Sequence, residues 1–366
     1  MLPPGRPAPT FTGRRASGAA ATIGREIVSR PPLRALRSRP AAIVGGAVLA
    51  VAALVLPHAG PRATHVDAAR AATAPCGARH APPARYEHVL WIAFENQSAK
   101  HVIGNRRLPA LNRIARQCGL ATNFHAEAHP SLPNYLAMTS GGTQGVTGDS
   151  SGPLSADSIY AQVRRSGREW RHYAFGMPSN CDHRDAPSTD RAIYTAHHQP
   201  PIFYSAIAAD CARWDVGVGD PRKVEDRSDV RSGPLADALR RDRLPAFATI
   251  EPTDDGGNSR AGGEVDPVKG DAFLARWIPR ITASRAYRAG RTAVFITWDE
   301  PGDFKVQPPR DTIATIVIAP TVPRGATVAT RFDHYAMLRT TEEMLGIQTF
   351  LGAAASAPSM RAGFHL

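Results

Sequence analysis

The chain has 366 residues, of which 43% are apolar, enough to fill the core of one large domain or two small ones. Its formal net charge is +12 at pH 7, but residues 1–40 alone hold eight arginines and one glutamate. That segment accounts for +7 of the total and leaves +5 for everything that follows. Because the rest of the chain is only mildly basic, we predict no nucleic-acid partner.

An uncharged apolar run extends from Ala41 to Leu56. It is slightly shorter than the ~17–25 residues of a membrane-spanning helix, and the arginines before it fit export with the N-terminus inside. We predict a basic N-terminal tail at 1–40, a signal sequence or membrane anchor at 41–57 and a linker at 58–85. The protein is expected to be exported, either secreted or anchored to the outer face of the cytoplasmic membrane. The same N-terminal segment would provide any membrane contact.

Four cysteines follow the apolar run: Cys76, Cys118, Cys181 and Cys211. An even number of cysteines in an exported chain suggests two disulfides, and their spacing alone allows three pairings. Of these pairings we favour Cys76–Cys118 together with Cys181–Cys211. None of the four has the spacing of a zinc finger or a Cys-x-x-Cys motif.

Apolar runs of strand length alternate with helical patterns after residue 85. The predicted strands cover 88–94, 121–124, 169–175, 245–251, 292–298 and 312–319. The predicted helices cover 108–118 with Gly119 as its cap, a buried helix that starts at Leu136, then 155–163, 271–283 and 335–345. Residues 176–235 are predicted to be irregular, as a lid or specificity insert. The alternation predicts an α/β fold with a mostly parallel central sheet flanked by helices, in one domain at 86–366.

Polar pairs follow two of the predicted buried strands. Glu95-Asn96 follows the strand at 88–94, and Asp299-Glu300 follows the strand at 292–298. The carboxyl ends of parallel strands meet at one edge of the sheet. Three carboxylates and an amide there would repel one another unless a divalent cation lay between them. We therefore predict a divalent metal site of unknown identity, the alternative being unrelated turn or helix-cap residues.

Ser131 lies between two prolines, in the segment from His129 to Tyr135 that precedes the apolar run at Leu136. A serine at a helix N-terminus exposes its hydroxyl beside amide N–H groups that favour an anion such as phosphate. We predict Ser131 as a nucleophile directed at an anionic group, with Asn134 and His129 as substrate-binding residues. An ordinary proline-rich loop is the alternative.

His198 and His334 are further candidates for catalysis. His198 lies in an irregular stretch from which it could act as a general acid or a cationic phosphate clamp. His334 starts a predicted helix, where a helix cap is the alternative. Histidines that gain charge in acid would bind phosphate more strongly, which favours an acid to neutral pH optimum. Gly148–Gly152 fits the G-x-S-x-G pattern of serine esterases, but no strand precedes it and we interpret it as a loop.

Three motifs occur in a fixed order along the chain: Val89-Leu-Trp-Ile-Ala-Phe-Glu95-Asn96, His129-Pro-Ser131-Leu-Pro-Asn134-Tyr, and Thr297-Trp-Asp299-Glu300. In this order they resemble the bacterial phosphoesterase family, which includes secreted acid phosphatases and phospholipase C-type enzymes of the alkaline phosphatase superfamily. The resemblance implies an alkaline phosphatase-like fold with a single catalytic domain. It also implies Ser131 as nucleophile, metal binding by Glu95, Asn96, Asp299 and Glu300, and phosphoryl contacts from Asn134 and His198 with His334 nearby.

The function implied by this resemblance is an exported, metal-dependent phosphomonoesterase that forms a phosphoserine intermediate. Its substrates would be phosphate monoesters, phosphoinositides included. A phospholipase C-type phosphodiesterase on the same scaffold is the alternative, and a binding protein without catalysis is a third possibility. Thr253–Ser259 departs from the family pattern, in which this loop contains Asn, His and Cys. If the loop touches the substrate, substrate preference is expected to differ.

Overall fold

The computed structural model describes residues 74–185, 194–218, 232–252, 267–302, 306 and 309–366. These residues belong to a compact unit that spans Ala63–Leu366. The predicted basic tail, the signal or anchor segment and the Thr253–Ser259 loop lie outside the described residues. Within the described part of the chain, no helix combines the length and apolarity needed to cross a membrane.

Nine strands of the described chain form one sheet. They are β1 (His88–Phe94), β2 (Gly119–His125), β3 (Trp170–Phe175), β4 (Asp215–Val218), β5 (Phe247–Glu251), β6 (Thr292–Trp298), β7 (Ile313–Ile318), β8 (Thr327–Val328) and β9 (Phe332–Asp333). Their order is β4-β3-β5-β1-β6-β7-β2-β8, and β9 pairs with β2. Only the pairs of β7 with β6 and with β2 are antiparallel. The predicted α/β fold with a mostly parallel sheet is confirmed.

Helices of the described chain connect these strands. They are α1 (Ala99–Val102), α2 (Pro109–Gln117), α3 (Ser131–Ser140), α4 (Ile159–Arg165), α5 (Ala208–Trp214), α6 (Pro234–Arg240), α7 (Pro267–Ala283), α8 (Arg285–Arg288), α9 (His334–Met344) and α10 (Arg361–Phe364). Helix α3 packs against α9, and α2 packs against α7. All ten residues of α3 are buried, so its apolar side chains contribute to the core while its N-terminus faces the edge of the sheet.

The structure corrects three predicted boundaries. Helix α3 begins at Ser131 rather than Leu136, because Pro133 lies in the first turn, where no intrahelical bond requires its N–H. Gly119 is not the cap of α2 but the first residue of β2, and a Cβ there would lie 2.5 Å from the Phe364 ring. Residues 208–218, predicted to be irregular, form α5 and the edge strand β4.

Both predicted disulfides are present. Cys76–Cys118 joins the start of the described chain to the residue before β2, and Cys76 is buried. This bond holds residues 74–85, the described part of the predicted linker, against the domain. Cys181–Cys211 joins the loop after β3 to α5.

The centre of the sheet is apolar on both faces. Strands β6 and β7 are buried along their whole length, as is β1 after His88. Trp91 of β1 packs edge-to-face on Phe247 of β5, with ring centroids 4.7 Å apart. At the carboxyl end of β6, the N–H of Asp299 donates to the carbonyl of Phe94 at 2.9 Å. The core therefore places the residues that follow β1 and β6 side by side.

Candidate active site

Carboxylates gather at the carboxyl ends of the central strands. Glu95 follows β1, Asp299 and Glu300 follow β6, and Glu251 is the last residue of β5. Each of the four is at most 2% exposed. Strand β1 is paired in parallel with both β5 and β6, so these strand ends coincide. The structure thus brings together the three carboxylates that the sequence assigned to a metal site.

Ser131 is the first residue of α3 and points into this acidic cluster. Its Oγ donates a hydrogen bond to Oε2 of Glu95 at 2.9 Å. The side chain is nearly buried, and the residue is 5% exposed. Because the first amides of a helix have no intrahelical acceptor, the N-terminus of α3 also offers N–H donors beside the hydroxyl.

Asn96 adopts a left-handed backbone conformation, with a φ of +59°, between the two acidic groups. Its N–H donates to Oδ1 of Asp299 at 3.0 Å, and its Nδ2 donates to Oε2 of Glu95 at 3.2 Å. Asparagine is among the few residues that adopt this conformation readily. This left-handed turn therefore holds the side chains of Glu95, Asn96 and Asp299 together.

Two oxygens in this turn are buried without a hydrogen-bond partner among the described residues: Oδ1 of Asn96 and Oδ2 of Asp299. An unsatisfied buried oxygen is costly, and both atoms belong to residues that were predicted to bind metal. Carboxylate and amide oxygens are the ligands that hard divalent cations prefer. The predicted residues therefore fit a divalent cation.

The electrostatics of the cluster favour the same kind of ligand. Burial raises the pKa of Glu95 well above its usual range, and the charges of Asp299 and Glu251 raise it further. Burial also raises the pKa of Asp299 to about 6, and burial together with the Asp299 charge raises the pKa of Glu300 to about 10. Ionised carboxylates repel one another here, and a bound cation would relieve that repulsion.

Tyr135 and Glu251 belong to the site but were not predicted as site residues. The Tyr135 hydroxyl donates to Oε1 of Glu95 and lies 3.1 Å from Oε1 of Glu251. Tyr135 lies four residues after Ser131, so both face the same side of α3. Glu251 ends the strand that neighbours β1. Helical spacing and strand position were therefore the sequence signals that could have identified them.

His129 and Asn134, the predicted substrate-binding residues, both contact Glu300. Nδ1 of His129 lies 2.8 Å from Oε2 of Glu300, and Nδ2 of Asn134 donates to the same oxygen at 3.2 Å. Oδ1 of Asn134 also accepts from the N–H groups of Glu127 and Ala128 at 2.9 and 3.0 Å. In this structure Asn134 therefore holds the loop before Ser131 and orients Glu300.

His198 and His334 are both buried. Nε2 of His198 lies 3.5 Å from Oε2 of Glu95, and Nε2 of His334 lies 3.2 Å from the carbonyl oxygen of Trp298. The residue that caps α9 is Asp333, whose Oδ1 accepts from Ala336, and not His334.

Burial lowers the pKa of both imidazoles, that of His334 to about 4 and that of His198 well below its usual range. Neutral rings are therefore favoured at both positions. These two rings therefore give no support to the expectation of an acid to neutral optimum, which rested on histidines in general gaining charge in acid.

A cleft of about 310 Å³ opens at the loop that carries Asp149. Residues that line it include Asp149, Ser150, His183, Asp185, His197 and Phe203. The segment Gly148–Gly152 is a loop, as predicted. Oδ1 of Asp149 accepts a hydrogen bond from the N–H of Leu132 at 3.1 Å, so this loop contacts the start of α3.

A serine hydroxyl among buried oxygen ligands suits the hydrolysis of phosphoric esters, and comparison with known proteins gives the same class of enzyme. The sequence model of the Phosphoesterase family matches residues 91–348. The chain belongs to this family, as its motifs predict, and it is a hydrolase that acts on phosphoric ester bonds.

Named relatives are phosphatases. The chain is 24% identical over 276 residues to a phosphatidylinositol-3-phosphatase of Mycobacterium tuberculosis, across 75% of this chain and 81% of the relative. It is 24% identical over 299 residues to a phosphate-repressible acid phosphatase of Penicillium chrysogenum, across 78% of this chain and 66% of the relative.

Among solved structures, a sulfatase-like protein of Bacteroides thetaiotaomicron superposes with a TM-score of 0.51 and 12% identity, over 77% of this chain and 75% of that one. A protein of the alkaline phosphatase superfamily from Vibrio parahaemolyticus gives a TM-score of 0.49 and 11% identity, over 79% and 73% of the two chains. At such low identity, the likeness to the sulfatase-like protein shows the α/β fold alone.

Proposed function

We propose that the protein is an exported, metal-dependent phosphomonoesterase that works through a phosphoserine intermediate on Ser131. The observation that carries this proposal is the hydrogen bond of 2.9 Å from the Ser131 hydroxyl to Glu95, at the edge of a buried acidic cluster. A hydroxyl in this position has a carboxylate as acceptor for its proton and helix amides as donors to an anion.

Glu95, Asn96, Asp299 and Glu300 would hold the divalent cation. When bound there, the cation would supply Lewis acidity that promotes ionisation of a neighbouring hydroxyl and balances negative charge on a phosphoryl group. The acidic side chains would otherwise repel an anionic substrate. Their neutralisation is therefore a condition for substrate binding.

In the first step, Ser131 Oγ attacks phosphorus and forms a new P–O bond while the ester P–O bond breaks. The serine proton passes to Glu95, its hydrogen-bond acceptor, and the leaving group takes a proton from solvent and departs as the alcohol. In the second step, water attacks the phosphoserine and loses a proton to solvent, the bond between phosphorus and Ser131 Oγ breaks, and Glu95 returns its proton to Ser131 as inorganic phosphate is released. We assign the contact with the phosphoryl group to His198, whose Nε2 lies 3.5 Å from the same Glu95 oxygen.

His334, His129 and Asn134 act through the acidic residues in this scheme. His334 contacts the carbonyl of the residue before Asp299, while His129 and Asn134 contact Glu300. We assign all three to the positioning of the Asp299-Glu300 pair beside the substrate.

The substrate class and location rest on separate observations. The M. tuberculosis relative is named a phosphatidylinositol-3-phosphatase, which makes a phosphoinositide a substrate to test beside simple phosphate monoesters. Two disulfides suit an oxidising compartment, and the apolar run at 41–56 suits export.

The Ser131→Ala variant tests the proposal. We expect it to fold and to release phosphate from p-nitrophenyl phosphate at least about 10³-fold more slowly than the unmodified protein, because the nucleophile is missing. The matched control is Ser356→Ala, which removes an exposed hydroxyl that donates to the carbonyl of Ala353 and should leave turnover near normal. Chelation should abolish turnover of the unmodified protein, and added divalent ion should restore it.

Product analysis separates the alternatives. Acid-quenched enzyme should carry a phosphate group on the Ser131 peptide, which mass spectrometry detects. Turnover of bis-p-nitrophenyl phosphate without release of free phosphate from monoesters would instead indicate the phospholipase C-type reaction. Folded protein that hydrolyses neither ester, with every divalent ion supplied, would refute catalysis and leave a binding protein.

A further inference from the structure

Asp149 contacts the amide that follows the proposed nucleophile. Its Oδ1 accepts from the N–H of Leu132, the second residue of α3, across 17 residues of chain. This amide is one of the helix-start donors that no intrahelical carbonyl can satisfy. Asp149 therefore occupies one of the donors that the N-terminus of α3 offers to an anion.

A phosphoryl group on Ser131 would lie beside that same amide. Amides at a helix N-terminus bind anionic oxygens, and the amide next to a nucleophile is well placed to receive one. Asp149 thus presents a carboxylate close to where a substrate oxygen would accept a hydrogen bond. A carboxylate and a fully ionised phosphoryl oxygen repel each other at short range.

The groups around Asp149 do not neutralise its charge. The nearest is His197, with Nε2 4.0 Å from Oδ2 of Asp149, and burial lowers the pKa of this histidine. His183 and Asp185 line the same cleft. The charge of Asp149 also contributes to the raised pKa of Glu300. Among the described residues, no lysine or arginine forms an ion pair with Asp149.

We propose that Asp149 is a specificity-determining residue that selects the singly charged form of a phosphate monoester over the doubly charged form. The singly charged form keeps one P–O–H group, which can donate a hydrogen bond to the Asp149 carboxylate. The doubly charged form has no such proton and meets like charge instead. This inference rests on the proposed phosphatase function and concerns the substrate of that same site.

A preference for acid conditions follows from this arrangement. A phosphate monoester loses its second proton near pH ~6. Below that pH the form that Asp149 favours predominates, and above it the disfavoured form does. The acid optimum expected from the sequence then arises from protonation of the substrate and does not require charged histidines.

Asp149→Asn tests the proposal, because asparagine keeps an oxygen acceptor for the Leu132 amide and removes the charge. The control is Asp237→Asn, which makes the same change in charge at an exposed residue paired with Arg240 on α6. For each protein, kcat/KM is measured from pH 5 to pH 8 with p-nitrophenyl phosphate. The affinity for bis-p-nitrophenyl phosphate, whose single charge is constant in this range, is measured as its inhibition constant in the same assay.

For the monoester, the ratio of kcat/KM between D149N and the unmodified protein should rise about tenfold from pH 5 to pH 8. The ratio of the inhibition constants of the diester for the two proteins should stay constant with pH, and both ratios should stay constant for D237N. Titration of phenylphosphonate by calorimetry, a monoester analogue whose doubly charged form has no P–O–H group, should show about tenfold tighter binding to D149N at pH 8 and little difference at pH 5.

A ratio of kcat/KM for the monoester that does not change with pH, or an equal loss of activity at every pH, would overturn the proposal. Asp149 would then be only a hydrogen-bond acceptor for the first turn of α3. If D149N fails to fold by circular dichroism, Asp149→Ser provides a second uncharged acceptor. If no protein releases phosphate from any ester, the proposed function fails, and the phenylphosphonate titrations still decide the role of Asp149. If phosphate is released but the ratio of kcat/KM for the monoester stays constant with pH, the role of Asp149 is refuted and the proposed function is not.

Discussion

Ser131 Oγ and Asn96 Nδ2 donate hydrogen bonds to the same oxygen, Oε2 of Glu95, at 2.9 and 3.2 Å. This one carboxylate oxygen joins the N-terminus of α3 to the end of β1. The other oxygen of Glu95 accepts from Tyr135, one turn further along α3. Glu95 is thus the residue through which the proposed nucleophile and the proposed metal ligands are held in one arrangement.

Glu95→Gln should reduce the rate of phosphate release by about 10²–10³-fold, because the amide keeps the size of the side chain but loses the charge and proton acceptor. It should also retain less divalent ion after dialysis, as one anionic ligand is gone. Steady-state kinetics and metal analysis measure the two effects. Glu169→Gln, at an exposed position beside Arg171, is the control and should change neither. Near-normal turnover by E95Q would contradict the role of Glu95.

Tyr135→Phe should lower the free energy of unfolding of chelator-treated protein by about 1–3 kcal/mol, because two buried carboxylates lose their shared donor. Urea denaturation followed by fluorescence measures this change. Tyr160→Phe provides a comparison with an equally buried ring, since the Tyr160 hydroxyl pairs with the neutral Thr249 at 2.9 Å. We expect a smaller loss, of about 1 kcal/mol, for that variant. A greater loss in Y160F would argue against a special role for the Tyr135 bridge.

The Cys181–Cys211 disulfide joins two cysteines that are 30 residues apart in sequence, and His198 lies between them. The double variant C181S/C211S should lose about 3–4 kcal/mol of stability and also lose activity at temperatures where it stays folded, because His198 is less well fixed. The C76S/C118S variant, with a separation of 42, should lose similar stability but keep its kcat. Thermal denaturation and kinetics on both variants make the comparison. Equal kcat values for the two variants would show that the first disulfide does not position the site.

Glu342 should make stability decrease as pH rises. Burial raises its pKa from an ordinary 4.5 to about 7 in the folded protein. Between pH 4.5 and about pH 7, the native state therefore keeps a proton that the unfolded state has lost. The native state binds more protons in this window, and the free energy of unfolding therefore falls with increasing pH. Glu342→Gln should remove this contribution and raise the thermal midpoint at pH 8 relative to the unmodified protein, with little gain at pH 4.5.

The neighbouring Glu343 gives a matched control for Glu342. Its side chain is paired with Arg339 at 2.7 Å on a partly exposed face, so Glu343→Gln should not raise the midpoint at pH 8. Thermal denaturation of both variants across this pH range measures the difference. A pH profile of E342Q that parallels that of the unmodified protein would contradict the buried proton.

The sequence predicted the part of the site that depends on the sheet. Strands β1 and β6 are continuous apolar runs, and parallel strands end at one edge, so the meeting of Glu95 with Asp299-Glu300 follows from local pattern alone. The same reasoning applies to Glu251 at the end of β5. The sequence alone, however, has no feature that makes β5 the neighbour of β1.

Contacts made by loops could not be predicted in this way. The bond of Asp149 to Leu132 depends on the path of the chain between α3 and α4, and Gly148–Gly152 carries no periodic pattern. Strand β4 was missed because it is four residues long, contains Gly217 and lies at the sheet edge. Helix α3 starts before the apolar run at Leu136 because the first turn of a helix tolerates proline.

The reversed direction of β7 has a consequence for how this protein can diverge. Strand β6 ends at the site and β7 starts on the same side, where the carbonyl of Thr312 accepts from Ala99 at 2.7 Å. A parallel connection would have to return to the opposite edge, usually through a packed helix. The segment between β6 and β7 does not have to return to the opposite edge of the sheet. Insertions and deletions there can therefore reshape the rim of the site without disturbing strand register. We expect substrate range to evolve through the length of this connection more readily than through the helical crossovers.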